Sequence, residues 1–299
     1  MRKLQLLLLV LSGCKASAVL DGFGAAKLNT PENATKWAQF SSAPAVRALT
    51  GSNIGDVSNT MSDPGACPSF TDDGTTRSFK GDCTSDAGVR WLGSATLVRT
   101  ASGAKTGTIT YANLRSETPS MCGSGSVTAK QAVNGSVTIT ENGFTVDEKI
   151  EQERFETSDC NNAVKETFAF DYAGTSTDNK WNGKGRVGSS LLGTANVETV
   201  DEVLNDTMCS SEAASGTTTL RSGNDVVIIT YDGATDCDTT STVKWSLNGE
   251  DKGELVGVRC AVTPVSALLF LIPLLLRRRR LDEEERADSL SRPCGRGLG

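Results

Sequence analysis

The residues whose types and spacing suggest chemistry in this sequence are its nine cysteines and its 36 acidic residues. The chain contains no histidine, so there is no Ser-His-Asp or Cys-His nucleophile, no imidazole general base and no histidine metal ligand. Disulfide formation and carboxylate chemistry do not require histidine. The position of each cysteine therefore decides most of what the sequence predicts.

The first cysteine, Cys14, follows a short positive region, an apolar run from Leu4 to Leu11, and the small residues Ser12 and Gly13. This order is typical of an export signal. A permanent transmembrane helix needs about 20 apolar residues, more than this run provides. We therefore expect the signal to be removed.

The segment Leu11–Cys14 resembles the lipobox of bacterial lipoproteins. The resemblance implies cleavage before Cys14, a diacylglycerol on its sulfur, and therefore a membrane as partner. Lys15 stands where this family carries Asp for retention in the inner membrane, so the resemblance implies the outer membrane or the cell surface. The alternative is a secreted or periplasmic protein, because residues 16–18 (Ala-Ser-Ala) form an A-x-A cleavage site.

Seven cysteines lie between Cys14 and the last one, Cys294. Exported proteins meet an oxidising environment, in which cysteines mostly form disulfides. The simplest pairing joins neighbours and predicts three structural disulfides: Cys67–Cys83, Cys122–Cys160 and Cys209–Cys237. Cys237–Cys260 is the main alternative.

Three of these cysteines share a local pattern, in which Asp-Cys is followed by an aromatic residue eight positions later. The copies are 77 residues apart both times: Asp82-Cys83 with Trp91, Asp159-Cys160 with Phe168, and Asp236-Cys237 with Trp245. Equal spacing with the same neighbours favours an internal threefold repeat.

The carboxylates suggest two further activities. Asp232, Asp236 and Asp238 could present oxygen ligands to calcium, but aspartates are also common in turns, and we assign these three to turns. The acidic run 147–153 could contain the carboxylate pair of a glycoside hydrolase, yet such runs are common in acidic proteins. The sequence identifies no catalytic residue, no metal ligand and no cofactor site.

The elements that must position these residues are β-strands, because residues 67–260 alternate between apolar and polar. Val243, Trp245 and Leu247 point to one side of such a strand, and residues 226–231 are apolar on both sides. Asn-Gly at 134, 142, 182 and 248 and Asp-Gly at 232 predict tight hairpin turns. The expected fold is all-β, an antiparallel meander forming a sandwich or a curved barrel-like sheet.

Other aromatic and helical features are few. Trp91, Trp181 and Trp245 could stack on sugars, but their alternation with polar residues favours a place in the core. The best helix candidate precedes the β block, where Thr30 can cap and Pro31 suits the first helical position.

The C-terminal part contains an apolar run, residues 261–276, which covers about 24 Å as a helix, short of the roughly 30 Å of a bilayer core. It is flanked by Cys260 and by a basic cluster: Arg277, Arg278, Arg279 and Arg280. This order resembles the C-terminal sorting tails of myxobacterial surface proteins. The resemblance implies a transient anchor that is removed after export, and the alternative is a permanent anchor.

Two further segments, 63–97 and 229–260, resemble uncharacterised exported proteins of myxobacteria-like bacteria, a resemblance that implies no activity. The expected organisation has five parts: a signal helix (1–13), a tether with a short helix (14–66), a disulfide-stapled β domain with a threefold pattern (67–260), a hydrophobic helix with the arginine cluster (261–280) and a disordered tail (281–299).

Charge limits the possible partners. The region between Cys14 and Ala261 carries 21 Lys and Arg against 31 Asp and Glu, a net charge near −10. A nucleic-acid partner would require a basic surface, so none is expected. We expect a lipid-anchored envelope or surface protein of structural or interaction type and not an enzyme. The alternatives are a glycan- or lipid-binding module on the sheet and a carboxylate-dependent hydrolase.

Overall fold

A computed structural model describes residues 15–41, 67–122, 125–156, 159–178, 180–204, 213–231 and 242–256. Two helices precede the sheet, α1 (Ala16–Gly22) and α2 (Pro31–Ser41). The strands follow in this order: β1 (Ser69–Asp72), β2 (Thr76–Lys80), β3 (Cys83–Thr84), β4 (Arg90–Arg99), β5 (Gly107–Cys122), β6 (Gly125–Ile139), β7 (Gly143–Glu156), β8 (Asp159–Thr177), β9 (Lys180–Ser189), β10 (Gly193–Leu204), β11 (Ala213–Ser222), β12 (Asp225–Tyr231), β13 (Thr242–Leu247) and β14 (Glu250–Val256).

The strands form one antiparallel sheet in which almost every strand pairs with the next one along the chain. The exception is the two-residue β3, which shares β4 with β2. The predicted all-β antiparallel meander is confirmed, and it takes the form of a single sheet of 14 strands rather than two packed sheets.

One face of the sheet carries the hydrophobic core, because successive side chains of a strand point to opposite faces. On β8, Phe168, Phe170 and Tyr172 belong to this core, whereas Ala169 packs on the other side. We call the two sides the core face and the outer face.

Helix α2 lies against the core face and fills part of its concavity. Thr30 Oγ1 caps the helix by accepting the Asn33 N–H at 3.2 Å, as its sequence predicts. Its Phe40 ring lies 5.6 Å from Phe168 and 5.5 Å from Phe170, and Trp37 is fully buried. The sequence-based division placed residues 14–66 in a tether, but residues 15–41 pack on the sheet. The apolar contacts of α2 with strands far along the chain cause this difference.

The Cys122–Cys160 disulfide shows that the sheet curls towards its core face. β5 and β8 are separated by β6 and β7, so three strand spacings, roughly 14 Å, would divide them in a flat sheet. The two Cα atoms are only 5.5 Å apart. Each cysteine is an even number of residues from a core-facing residue of its own strand, Leu114 on β5 or Phe168 on β8, so it points to the same face. The bridge therefore spans the concave side of the sheet.

Two of the three predicted disulfides, Cys67–Cys83 and Cys122–Cys160, are present. They indicate an oxidising location outside the cytosol. Other parts of the prediction lie outside the described residues: Cys14, the pair Cys209–Cys237, Cys260, Arg277 to Arg280 and Asp232 to Asp238. Within the described part of the chain, no helix is both long and apolar enough to cross a membrane.

The Asp-Cys pattern does not mark equivalent structural units in the two copies that are described. Cys83 and Trp91 face each other as partners on β3 and β4. Cys160 and Phe168 lie on one continuous strand, β8. The same eight-residue spacing thus spans a turn in one copy and a straight strand in the other.

Two of the predicted Asn-Gly turns are wrong. Asn142 and Asn248 do lie at hairpin turns, but Asn134 lies inside β6 and Asn182 inside β9. Each faces a β-bulge in the neighbouring strand, where a residue with positive φ interrupts the ladder: Asn113 (φ 50°) on β5 and Asp201 (φ 51°) on β10. The bulges place extra curvature in the strands on either side of β7 and β8.

Strand β12 is buried on one face only, although its sequence predicted burial on both. Val227 and Ile229 are fully buried in the core, whereas Ile228 is 37% exposed on the outer face. The reason is the single-sheet architecture, in which short segments are all that covers the outer face among the described residues.

Candidate functional site

Helix α1 covers part of the outer face and is the first described element after the predicted lipid-bearing cysteine. Ala16 and Leu20 are buried on one side of the helix and pack against Ala169 of β8. Gly188 of β9 makes room for them, since a Cβ there would lie 3.0 Å from Leu20 Cδ2 and 2.6 Å from Gly193 O. The helix therefore packs closely against the sheet at a defined position.

Polar contacts fix α1 at both ends. The Ala16 N–H donates to Asp147 Oδ1 of β7 at 2.9 Å. At the other end, the Arg186 guanidinium pairs with Asp21 at 2.6 Å, and Thr194 Oγ1 donates to the Leu20 carbonyl at 2.8 Å. The helix thus runs across the strands from β7 to β10.

After α1 the chain passes over the β9–β10 turn to the core face. Thr194 forms two backbone hydrogen bonds with this segment, donating to Gly24 O at 2.8 Å and accepting from the Ala26 N–H at 3.0 Å. Gly193 has φ +86°, and a Cβ there would lie 2.7 Å from Gly24 O. Ala26 already belongs to the core.

A trough of about 660 Å³ lies on the outer face beside α1, lined by residues of β7 to β11. Its charged side chains are Asp147, Asp171, Lys184, Arg186, Glu198 and Arg221. Asp147, Asp171, Arg186, Asn196 and Arg221 are successive partners on adjacent strands. A second row, parallel to the first, places Lys184 directly opposite Glu198. We call this site the trough.

Four of the trough charges are not engaged by the protein. Asp147 and Arg186 hold α1, as described above. Within the described residues, Asp171, Lys184, Glu198 and Arg221 form no ion pair and no side-chain hydrogen bond, and each is exposed. They alternate in sign from β8 to β11. The trough therefore offers two anionic and two cationic groups to a bound molecule.

Among the described residues that line it, the trough provides no aromatic surface for stacking on sugars. Its lining includes Tyr172, but that ring faces the core and stacks on Phe144 at 6.0 Å. Burial raises the pKa of the Tyr172 hydroxyl well above its ordinary value, and nearby Glu198 and Glu202 act in the same direction, against a hydrogen bond with Thr199. The hydroxyl stays neutral at physiological pH.

The tryptophans that could have formed a sugar-binding platform are core residues, as their alternation predicts. Trp91 is 3% exposed and Trp245 is 5% exposed. Trp181 is half-buried and packs edge-on against Phe144 at 5.2 Å.

The acidic run on β7 is divided between the two faces of the sheet. Glu148 is fully buried on the core face. On the outer face, Glu151 pairs with Lys149 at 2.9 Å, and Glu153 lies within 4 Å of Lys130 and Lys165. The run therefore does not form a common carboxylate site.

One pair of carboxylates does face the trough, because Asp147 and Asp171 are direct partners on β7 and β8. Asp147 already accepts the Ala16 N–H. Among the described residues, no group of three or more Cys, Asp or Glu side chains could hold a metal ion.

Sequence reasoning did not identify the trough. Its residues come from five strands, and their proximity depends on the register of the sheet. The only local signal is the placement of charges of both signs at the outward positions of β8 to β11.

Comparisons with known proteins give no further guide to the site. No family model matches the chain, and neither the curated proteins nor the solved structures contain a match to it.

Proposed function

We propose that the chain is an exported cell-envelope protein, anchored to the outer membrane or cell surface by a lipid on Cys14, which acts by binding a partner and not by catalysis. In this account the apolar run and arginine cluster after Cys260 form a transient sorting segment. The sheet, stapled by disulfides, is the part that works outside the cytosol.

The observation that supports this proposal most strongly is the packing of α1 against the outer face of the sheet. The competing cleavage site, after Ala18, lies inside α1. Cleavage there would remove Ala16, which is 1% exposed and donates to Asp147, and would leave Leu20 in a truncated helix. Cleavage before Cys14 would keep the whole helix. The packing of α1 therefore favours the lipoprotein site over ordinary secretion.

Binding through the outer face is supported by the charge distribution. The trough holds four side chains with no partner among the described residues, on strands that are rigidly paired. The core face, by contrast, is packed mainly with apolar side chains and with α2. A partner of polar chemistry would therefore meet the protein on the outer face.

A second candidate function is a carboxylate-dependent hydrolase, favoured by the facing pair Asp147 and Asp171. Retaining glycosidases place two carboxyl groups about 5 Å apart. We prefer the binding function because Asp147 is occupied in holding α1. Hydrolysis of a glycoside by the purified protein, lost in Asp171→Asn, would replace the binding proposal.

Metabolic labelling tests the lipid anchor. The full chain, expressed in a bacterium with lipoprotein-processing enzymes, should incorporate labelled palmitate and fractionate with membranes. Cys14→Ser should lose the label, whereas the matched change Cys294→Ser should keep it. Equal labelling of the two variants, or none in the unchanged chain, would contradict the proposal.

A further inference from the structure

We propose that the trough binds a zwitterionic phosphoethanolamine headgroup of the membrane that carries the lipid anchor, with Lys184 receiving the phosphate and Glu198 the ammonium. The choice of the membrane as its source rests on the proposed lipid on Cys14. The match between headgroup and trough rests on the geometry of the trough alone.

The trough lies close to the point at which the lipid would be attached. Successive Cα atoms are 3.8 Å apart, so Cys14 lies within about 8 Å of Ala16. Ala16 is fixed to Asp147, which is itself part of the trough. Because α1 crosses strands that also line the trough, a lipid on Cys14 would be on the same side of the protein as the helix and the trough.

Lys184 and Glu198 have the spacing that a phosphoethanolamine group requires. They face each other on β9 and β10, about 4.8 Å apart at the backbone. Two carbons separate the phosphate oxygen from the ammonium nitrogen in the headgroup, a similar length. Although they are direct partners, the two side chains form no ion pair with each other. Each is therefore available to a charge of opposite sign.

Asp171 and Arg221 extend the same pattern on the outer strands of the trough. They flank Arg186 and Asn196 in the first row, Asp171 on β8 and Arg221 on β11. The four unengaged side chains carry no net charge together, so the trough attracts neither anions nor cations in general. A ligand with both charges close together satisfies it best.

Other envelope ligands fit the trough less well. An anionic lipid would meet Asp171 and Glu198 as well as the bases, within a body of net charge near −10. A sugar would find hydrogen-bonding groups but no exposed aromatic ring, since Tyr172 faces the core. A zwitterionic headgroup therefore fits the trough better than an anionic lipid or a sugar.

The test uses the full lipidated chain in non-ionic detergent micelles and glycerophosphoethanolamine as the soluble probe, with binding measured by calorimetry. Lys184→Glu and Glu198→Lys should each weaken binding about tenfold or more, because each replaces an attraction by a repulsion. The matched changes Lys252→Glu and Glu250→Lys reverse charges on the edge strand β14, outside the trough, and should leave binding unchanged. Thermal melts of all four variants confirm folding.

Two simpler probes define the chemistry. Glycerophosphate and ethanolamine each carry only one of the charges, and each should bind at least about tenfold more weakly than the zwitterion. Equal binding of glycerophosphate would make the trough an anion site and overturn the proposal. Equal effects of the β14 and trough variants would overturn it as well.

A Cys14→Ser chain separates this inference from the proposed function. If the trough recognises the headgroup, this chain still binds glycerophosphoethanolamine although it carries no lipid. The lipid anchor can therefore fail while headgroup binding stands, and headgroup binding can fail while the anchor stands.

Discussion

The backbone N–H of Ala16 donates to Asp147 Oδ1 at 2.9 Å, a hydrogen bond between residues 131 positions apart. It fixes the first turn of α1 to the middle of the sheet. Because Cys14 is only two residues before Ala16, a lipid on Cys14 would be attached directly to the folded body, without a flexible tether between them. The orientation of the protein on its membrane would then follow from the position of α1.

The packing of α1 on the sheet predicts that two leucines contribute very different amounts to the free energy of unfolding. Leu20 is 1% exposed where α1 contacts the sheet, so Leu20→Ala should lower the free energy of unfolding by about 2–3 kcal/mol. Leu191, at the β9–β10 turn, is 59% exposed, and Leu191→Ala should change it by less than about 0.5 kcal/mol. Urea unfolding followed by tryptophan fluorescence measures both. Equal losses would show that α1 is not docked as described.

The two bulges predict that Asn134 and Asn182 stabilise the sheet in the same way. Asn134 Oδ1 accepts the Asn113 N–H, and Asn182 Oδ1 accepts the Asp201 N–H, both at 2.9 Å. Replacing either asparagine by alanine removes the hydrogen bond to an exposed bulge N–H and should cost about 0.5–1.5 kcal/mol.

Two controls isolate the role of these acceptors. Asn→Asp keeps an oxygen at the same place and should recover most of the loss at each site. Asn142→Ala, at a hairpin turn, should have little effect. A loss at Asn142 as large as at Asn134 would indicate that asparagine stabilises turns and bulges alike.

The two disulfides are predicted to stabilise the fold by different amounts. Cys122–Cys160 closes 38 residues and Cys67–Cys83 closes 16. Loss of chain entropy in the unfolded state should make the longer bridge worth about 4 kcal/mol and the shorter about 3 kcal/mol. Double Cys→Ser variants, compared by thermal melts under identical conditions, should show the greater loss for Cys122 with Cys160. The reverse order would mean that chain entropy in the unfolded state does not decide the relative contributions of the two bridges.

Asp72 predicts a specific pH dependence of stability. Burial alone would raise its pKa, but hydrogen bonds from the Gly74 N–H, Arg77 and Arg99 outweigh it and hold the pKa below the ordinary value of 3.8. Because the folded pKa is the lower one, the stabilisation is present above pH 3.8 and is lost as the pH falls through the folded pKa.

Asp72→Asn should therefore lower the free energy of unfolding by about 2 kcal/mol near pH 6, since it removes the carboxylate that pairs with Arg77 and Arg99. The difference from the unchanged protein should begin to shrink below pH 3.8, where the unfolded chain takes up the proton first, and should keep falling as the pH approaches the lower folded pKa of Asp72. Urea melts at pH 6, 4 and 3 measure this. Asp86→Asn, in an exposed turn, serves as the control, and a difference as large at pH 3 as at pH 6 would contradict the assignment.

The strand alternation made much of the fold predictable. Val243, Trp245 and Leu247 indicated one buried side of β13, and Val243 and Trp245 are core residues. Joining neighbouring cysteines also predicted two disulfides correctly, with partners 16 and 38 residues apart in the chain. These features depend on short stretches of sequence.

The features that the sequence did not reveal depend on contacts between distant residues. An Asn-Gly pair forms a turn at Asn248 but opposes a bulge at Asn134, and the difference lies in Asn113 on another strand. The position of α2 depends on Phe168 and Phe170, and the trough depends on the register of five strands. Local patterns do not contain this information.

The decisive measurement is the intact mass of the protein recovered from the expressing cells and their medium. We expect a chain that lacks residues 1–13 and carries a diacylglycerol on Cys14, with a C-terminus near Cys260 if the tail is removed. An unmodified chain that begins at Val19, without the first half of α1, would contradict it.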